Sequence, residues 1–432
     1  RTIAMSRRQR KCLRRDIFKP SCFSEVTSAT VSHRQAIHRK LIAKKDCHQL
    51  ESPLAKRIIP ASTFALKNTM TNTEWLFTQE VHPQLATSAE VANLLANPGF
   101  GRVFTDHMVT VRWNEAQGWH DAKVESRKPF SLDPACAALH YAQQIFEGMK
   151  AYRGADGEIL MFRPIENAHR FQRSAARMAM TPVPDDLFLA AVEALVKIDK
   201  HWVPEGDGSL YLRPFMFGSE TFLGVRPSLE YIFCVIASPV GPYFKNGDSA
   251  VTVWVSDEYT RAAPGGTGAA KCGGNYAASL LAQSQASANG CDQVVFLDAV
   301  EHRWVEELGG MNIFFCMADG TLVTPPLSGT ILPGITRSSV IDLARREGMT
   351  VEERPYSFDQ WCADIASGQL REVFACGTAA VIAGVGRIRH VGGELVIADG
   401  SVGPVTIRIR NLLTGIQRGR LADTESWVHH LS

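Results

Sequence analysis

The sequence predicts an α/β protein built of two domains. Three observations carry this expectation. Segments with strand character alternate with segments of helical spacing from Met70 onward. The chain has 432 residues, 45% hydrophobic and 21% charged, which is enough to bury more than one core. A polar, turn-rich stretch, GPYFKNGDS at 241–249, interrupts the pattern past its middle. The expected division is a basic extension over 1–69, a small N-terminal α/β domain over 70–240, a linker over 241–249 and a larger C-terminal domain over 250–432.

The elements follow in order. DHMVTVRW and AKVESRKPF alternate as strands joined by a polar turn. DPACAALHYAQQIFEGMKAY reads as a helix, with Asp133 as its N-cap and Pro134 at the first helical position. RGADGEILMFRP holds a hairpin turn at Asp156-Gly157. NAHRFQRSAARMAM and DDLFLAAVEALVKIDKHWV carry apolar residues at helical spacing, in the second case Leu187, Ala191, Val192, Leu195 and Val196. LYLRPFMFGSE and YIFCVIASPVG read as buried strands. Beyond the linker, AVTVWVSDEY, DQVVFLDAV and MNIFFCMADGTLVTPP are strands, the last a hairpin around Asp319-Gly320. PGITRSSVIDLARREGM is a helix whose first turn exposes backbone N–H groups.

Charge is unevenly distributed. Residues 1–69 hold sixteen Lys/Arg and four Asp/Glu, whereas the rest of the chain holds thirty and forty. This segment lacks sustained helical periodicity and reads as upstream sequence, with Met70 the native start. A transit peptide and a functional basic arm are the alternatives. The ten cysteines contain no C-x-x-C pair, which favours reduced thiols in a cytosolic-type compartment. No apolar run is long enough to span a bilayer, and no HExxH or other metal-ligand spacing is present, so no membrane, nucleic-acid or metal partner is expected.

The chemistry centres on PGGTGAAKCGGNYAASLLAQ, where one lysine, Lys271, lies between two glycine clusters. A P-loop is excluded, because Ala270 precedes the lysine and Cys272 follows it. The remaining use is a nucleophilic amine that forms a Schiff base. Glycine and alanine around it would let a flat aromatic group lie against the backbone, and Tyr276 offers a phenol five residues on. Glu306 and Glu307 in VEELGG are both candidate acids. Adjacent strand residues face opposite sides, and spacing alone does not choose between them.

GGTGAAKCGGNYAASLLAQ resembles the lysine loop of the branched-chain amino-acid aminotransferases, pyridoxal 5'-phosphate (PLP) enzymes of fold type IV. LHYAQQIFEGMKAYR, FRPIENAHRF, LYLRPF, VEELGGMNIFF, LPGITRSS and ACGTAA also resemble that family's motifs, in its order. The likeness covers roughly residues 70–432 and is strongest to actinobacterial members. It implies the fold-type IV architecture, with a small α/β domain and a larger pseudo-barrel domain that binds PLP.

By this resemblance Lys271 would hold the cofactor and move the substrate's Cα proton. Tyr276 would bond the cofactor's phenolic oxygen. The motif register selects Glu307 as partner of the pyridine nitrogen, and Gly310 would lie beside the ring. Arg170 would clamp the phosphate, together with the helix start at Ile335 and Thr336 and the hydroxyl of Thr378. The Thr378–Ala379 backbone would face the substrate carboxylate. Tyr141, Phe146 and Tyr211 would line an apolar pocket, with Arg213 receiving the distal carboxylate of glutamate. Leu223 and Val225 would reach a neighbouring subunit's site, implying a homodimer, and Tyr243 would border the pocket.

The implied reaction exchanges the amino group of leucine, isoleucine or valine with 2-oxoglutarate by a ping-pong course, in a cytoplasmic enzyme, or an organellar one if 1–69 is a transit peptide. Ala380 and Ala383 stand where vertebrate relatives carry a redox C-x-x-C, so no thiol switch is expected there. VIAGVG also departs from the VITPVG of close bacterial relatives. A D-amino-acid aminotransferase and an aminodeoxychorismate lyase are rivals on the same scaffold, disfavoured by FEGMKAYR and EELGGMN. A non-catalytic, basic-armed binding protein is the rival of another class.

Overall fold

Two nine-stranded sheets organise the protein, and the 241–249 stretch separates most of the first from the second. The computed structural model describes residues 75–241 and 249–431. The 1–69 segment with its Met70 start, residues 242–248 of the linker and Tyr243 lie outside the described residues.

Among the described residues the first elements are β1 (Thr78–Glu80) and α1 (Ser88–Leu95). Thr87 caps α1, and the Glu90 carboxylate accepts the Thr87 N–H in return. β2 (His107–Asn114) and β3 (Gly118–Ser126) form an antiparallel pair. Next come α2 (Ala137–Tyr141), β4 (Gln144–Phe146), β5 (Met149–Arg153) and β6 (Ile159–Phe162), the last two joined by the expected turn, with Gly157 at φ 86°. Helices α3 (Pro164–Arg177) and α4 (Asp185–Ile198) precede the long pair β7 (Ser209–Gly218) and β8 (Glu230–Val240).

One expectation fails here. The helix foreseen from Asp133 through Tyr152 is only the five residues of α2, with Cys136 rather than Asp133 at its N-cap. Ala142 adopts φ 49° and ends it, and the chain then enters β4 and β5. Gln144–Phe146 pair with Phe215–Phe217 of β7, and Met149–Ala151 with Leu210–Leu212. These distant backbone partners outweigh local helical spacing.

The second half contains β9 (Val251–Ser256), α5 (Gly273–Ala288), β10 (Gln293–Leu297), β11 (Val305–Leu308), β12 (Asn312–Met317) and β13 (Leu322–Thr324). It continues through α6 (Ile335–Arg346), β14 (Val351–Glu353), α7 (Phe358–Ser367), β15 (Leu370–Gly377), β16 (Val381–His390), β17 (Gly393–Val396) and α8 (Pro404–Gln417). β18 (Val428–Leu431) returns to the first sheet and pairs with β6. The first sheet runs β1-β3-β2-β8-β7-β5-β6-β18, with β4 on β7. The second runs β11-β10-β9-β16-β15-β12-β13-β14, with β17 on β16. No described helix is long and apolar enough to cross a membrane.

Each sheet has its own core, and a third cluster joins them. The buried face of α4, including Leu187, Ala191, Val192, Leu195 and Val196, packs with Phe171 and Phe233 on the first sheet. Phe315 and Trp361 lie in the second core. Tyr152 and Phe162 of the first sheet meet Phe314, Phe374, Ile409 and Leu413 of the second half in the joining cluster. Fully burying an aromatic or leucine side chain contributes about 1.5–3 kcal/mol, so this cluster holds the two halves together.

The loop before α5 depends on close backbone approach. A Cβ on Gly268 would collide with the Thr330 backbone, whereas one on Gly274 would meet nothing within 4 Å. Gly268→Ala is therefore expected to cost about 1–3 kcal/mol in urea unfolding, because a backbone segment must move. Gly274→Ala is expected to change stability by less than about 1 kcal/mol.

Candidate active site

Lys271 lies two residues before α5, and both halves of the fold hold it. Its backbone N–H donates to Ser174 Oγ of α3 (2.9 Å), and its carbonyl accepts the Phe146 N–H of β4 (3.0 Å). Cys272 next to it bridges to Ile145 and is buried in the first core. Asn275 gathers the loop from the other side. Its amide donates to the carbonyls of Thr267 and Ala270, both at 2.8 Å.

Two of the glycines here are fixed by close approach of protein groups. A Cβ on Gly273 would strike the Gln144 amide, and Gly268 lies against Thr330. Both are held to glycine by contact with protein.

The Lys271 amine donates to the Tyr276 hydroxyl at 2.8 Å and lies 4.8 Å from the centre of the Phe146 ring. Phe146 and Tyr276 are neighbours, with centroids 4.9 Å apart, and Gly310 faces the edge of Tyr276. Arg213 stacks over Phe146 at 4.8 Å and donates to the Tyr211 hydroxyl at 3.0 Å. Its Nε is buried with no partner among the described residues. Lys271, Tyr276, Phe146, Gly310, Tyr211 and Arg213 thus form one group.

Two buried ion pairs flank this group. Glu147 receives Arg170 Nε at 2.7 Å and Nη2 at 2.8 Å, a two-pronged contact, and also accepts the Asn167 amide at 2.7 Å. Burial pushes the Glu147 carboxyl up, but the Arg170 charge and hydrogen bonds, with Lys271 and Asn167, hold it below its ordinary value. Arg170 Nη1 reaches the Pro333 carbonyl at 3.2 Å, just before α6. On the other flank, Glu307 lies 2.7 Å from Arg261 and accepts the Leu332 N–H (2.9 Å) and the Asn312 amide (3.0 Å). Burial lifts its carboxyl to about 7 against the pull of Arg261. Glu306 points elsewhere, to the Thr330 hydroxyl.

A third feature is a small cavity lined by Gly148, Lys150, Asn167, Ile335, Thr336 and Thr378 among others. It sits at the N-terminus of α6, where Gly334 is the N-cap. No side chain caps this end, and its first turn carries no acid. Such an end favours an anion. Tyr141, Leu223 and Val225 are exposed, and the Tyr141 hydroxyl donates to the Leu223 carbonyl.

An amine beside a phenol, a buried acid on one side and an anion cradle on the other match the needs of a phosphorylated pyridine aldehyde. Residues 144–388 match the family described as Amino-transferase class IV. The chain belongs to that family. This aminotransferase is 54% identical over 361 residues to the branched-chain-amino-acid aminotransferase of Mycolicibacterium smegmatis, covering 82% of this chain and 98% of the relative. It is also 54% identical over 353 residues to a probable branched-chain-amino-acid aminotransferase of Streptomyces coelicolor, covering 81% and 97%. The crystal structure of the Escherichia coli branched-chain amino acid aminotransferase is similar, with TM-score 0.62 and 29% identity, covering 74% of this chain and 99% of that one. The Thermobaculum terrenum enzyme in its PLP-form aligns with TM-score 0.61 and 25% identity, covering 76% and 98%. The fold is therefore that of the fold-type IV aminotransferases, and PLP is the cofactor.

The residues of this aminotransferase fit that group. The uncapped α6 end suits a phosphate, and a Cβ on Gly334 would strike Asn312, so the approach at this end is shaped by glycine. Sequence reading missed Glu147, Lys150, Arg261, Asn275 and Asn312. A signal did exist for the α3 face: Asn167, Arg170 and Ser174 recur at i, i+3 and i+7 beside Phe171, a polar stripe on a buried helix side.

Breaking the Glu147 pair leaves Arg170 charged and buried. Glu147→Ala is expected to lower unfolding free energy by about 3–5 kcal/mol. Urea denaturation of the ligand-free protein measures this, and Glu147→Gln, which keeps hydrogen-bond acceptance, should lose less.

Proposed function

We propose that this aminotransferase exchanges the amino group of L-leucine, L-isoleucine or L-valine with 2-oxoglutarate, giving the branched 2-oxo acid and L-glutamate. Both half-reactions use one site in a ping-pong course. The observation that carries this reading is the Lys271 amine, held 2.8 Å from the Tyr276 hydroxyl beside an aromatic surface edged by Arg213. The likeness to the Mycolicibacterium smegmatis and Streptomyces coelicolor relatives points the same way.

PLP supplies, when bound, a carbon that takes the amino group and a ring that accepts the electron pair of the substrate Cα–H bond. The chain supplies the rest. Lys271 Nζ would remove the proton from the substrate Cα and deliver it to the PLP carbon that takes the amino group, and Tyr276 and Phe146 keep the amine aimed. Glu307, braced by Arg261, presents a carboxylate to the ring nitrogen, and Gly310 leaves the ring face clear. Arg170, the start of α6 at Ile335 and Thr336, and Thr378 bind the phosphate. Glu147 fixes Arg170's fork. The Thr378–Ala379 backbone receives the substrate α-carboxylate.

The side-chain pocket follows from the same group. Phe146 and Tyr211 line it, with Tyr141 at its mouth, so a branched aliphatic group is desolvated there. Arg213 accepts the distal carboxylate of glutamate, and its unpartnered Nε leaves donor capacity for one. A homodimer completes the mouth. Leu223 and Val225 are 65% and 91% exposed, and a partner subunit would cover them. The protein acts in the cytoplasm, and residues 70–240 and 250–432 serve as its two domains. With Ala380 and Ala383 after the Thr378 turn, that turn carries no thiol pair.

Borohydride reduction of the PLP-loaded protein followed by peptide mapping tests the central assignment. The label is expected on Lys271, and a label confined to other lysines refutes the reading. Wild type should transaminate L-leucine and not D-alanine, while a folded Lys271→Ala variant should lose activity by on the order of 10⁴-fold. Arg213→Gln should raise KM for 2-oxoglutarate by about ten- to a hundredfold, with little effect on KM for 4-methyl-2-oxopentanoate. Equal effects on both acids would remove Arg213 from its role.

A further inference from the structure

Lys150 lies in β5 and is 7% exposed. Its ammonium donates to the carbonyl of Ala379 at 2.8 Å, crossing from the first sheet to the turn between β15 and β16. It also lines the cavity that holds Thr336, Gly377 and Thr378. A cation placed there normally has an acid beside it, since an isolated buried charge is costly.

Among the described residues no acid pairs with Lys150. Tyr152 follows it on β5, and Tyr211 is its register partner on β7. The end of α8 brings Arg418, whose guanidinium lies 5.0 Å from the Tyr152 ring centre and donates to the carbonyls of Gly206, Asp207 and Gly208. The turn contributes Thr378 and backbone. Glu147, three residues earlier, is committed to Arg170, Asn167 and the Gly148 N–H. Among the described residues no ion pair is formed by Lys150, and burial together with the Arg418 charge lowers its amine to about 7.

We propose that Lys150 is the counter-charge for the substrate carboxylate at the Thr378–Ala379 turn, and that carboxylate binding draws a proton onto its amine. This rests on the carboxylate site given above for that turn. The carboxylate is favoured over the cofactor phosphate because the lysine holds the Ala379 carbonyl. The phosphate side of the cavity already has the α6 N-terminus and Arg170, which reaches Pro333. The proton comes from solvent, and no bond to carbon is made or broken. The sign follows directly. A neutral amine must take up a proton to pair with the anion, so affinity falls as pH rises above about 7, by up to about tenfold per pH unit.

The test uses PLP-loaded protein and 4-methylvalerate, a branched carboxylate with no amino or oxo group to react. Titration calorimetry at pH 8 in two buffers of different ionisation enthalpy reads the protons taken up on binding. Wild type is expected to take up on the order of one proton per site. Lys150→Arg, permanently charged, should bind but lose the Lys150 share of that uptake. Lys150→Met should bind about ten- to a hundredfold more weakly. Any proton taken up at Lys271 is common to wild type and variants.

Uptake equal in wild type and Lys150→Arg overturns the inference, as does undiminished binding by Lys150→Met. Proton uptake linked to Lys150 on loading PLP, and absent on adding 4-methylvalerate, assigns the lysine to the phosphate and also overturns it. These results leave the transamination reading standing. Failure of wild type to bind 4-methylvalerate at all overturns the carboxylate site and this inference together, whereas the borohydride label tests the cofactor site alone.

Discussion

The backbone of Lys271 is grasped at both ends by the first half of the protein, while the helix it opens belongs to the second. Ser174 on α3 accepts its N–H and Phe146 on β4 donates to its carbonyl. A free lysine has four rotatable side-chain bonds and a strongly hydrated tip, so a fixed backbone is the first condition for an aimed amine. The rest of the site depends on this junction. Phe146 supplies one of these hydrogen bonds and also the ring beneath the amine, and Tyr276 is one turn into the helix that follows.

Buried charge is the second organising principle. Glu147 neutralises Arg170 through two short hydrogen bonds, and Arg261 partly neutralises Glu307. The two pairs behave differently. The Glu147 carboxyl is held down by its partner, but Glu307 sits near neutrality because burial exceeds the attraction of Arg261. A carboxyl in that state gains much from a nearby cation, which is what a protonated pyridine offers. Each pair thus keeps an acid and an arginine buried together near the Lys271 amine.

Much of this was legible before the structure, for identifiable reasons. The helical face of α4 shows in the spacing of Leu187, Ala191, Val192 and Leu195, and the turn at Asp156-Gly157 shows in its residue types. Lys271 was marked by its glycine-rich surroundings, although Gly268 and Gly273 turned out to answer to Thr330 and Gln144. The segment from Gln144 to Tyr152 was misread as helix because its pairing partners, Leu210–Leu212 and Phe215–Phe217, lie far along the chain. Glu147 and Arg261 escaped notice for the same reason, since each is defined by a partner on another element. The choice of Glu307 over Glu306 came from motif register, and Glu307 is the one joined to Arg261, Leu332 and Asn312.

The return of β18 to the first sheet has a consequence for how the protein is made. Val428–Leu431 lie antiparallel to Ile159–Phe162, and the Arg163 N–H donates to the Trp427 carbonyl at 2.7 Å. During synthesis β6 therefore waits as an uncovered edge while the whole second sheet is translated. Open edges invite pairing with other chains, and contacts this distant in sequence form slowly. A strand made after the whole second sheet closes the sheet that began first, so a nascent chain halted before Val428 leaves the β6 edge open.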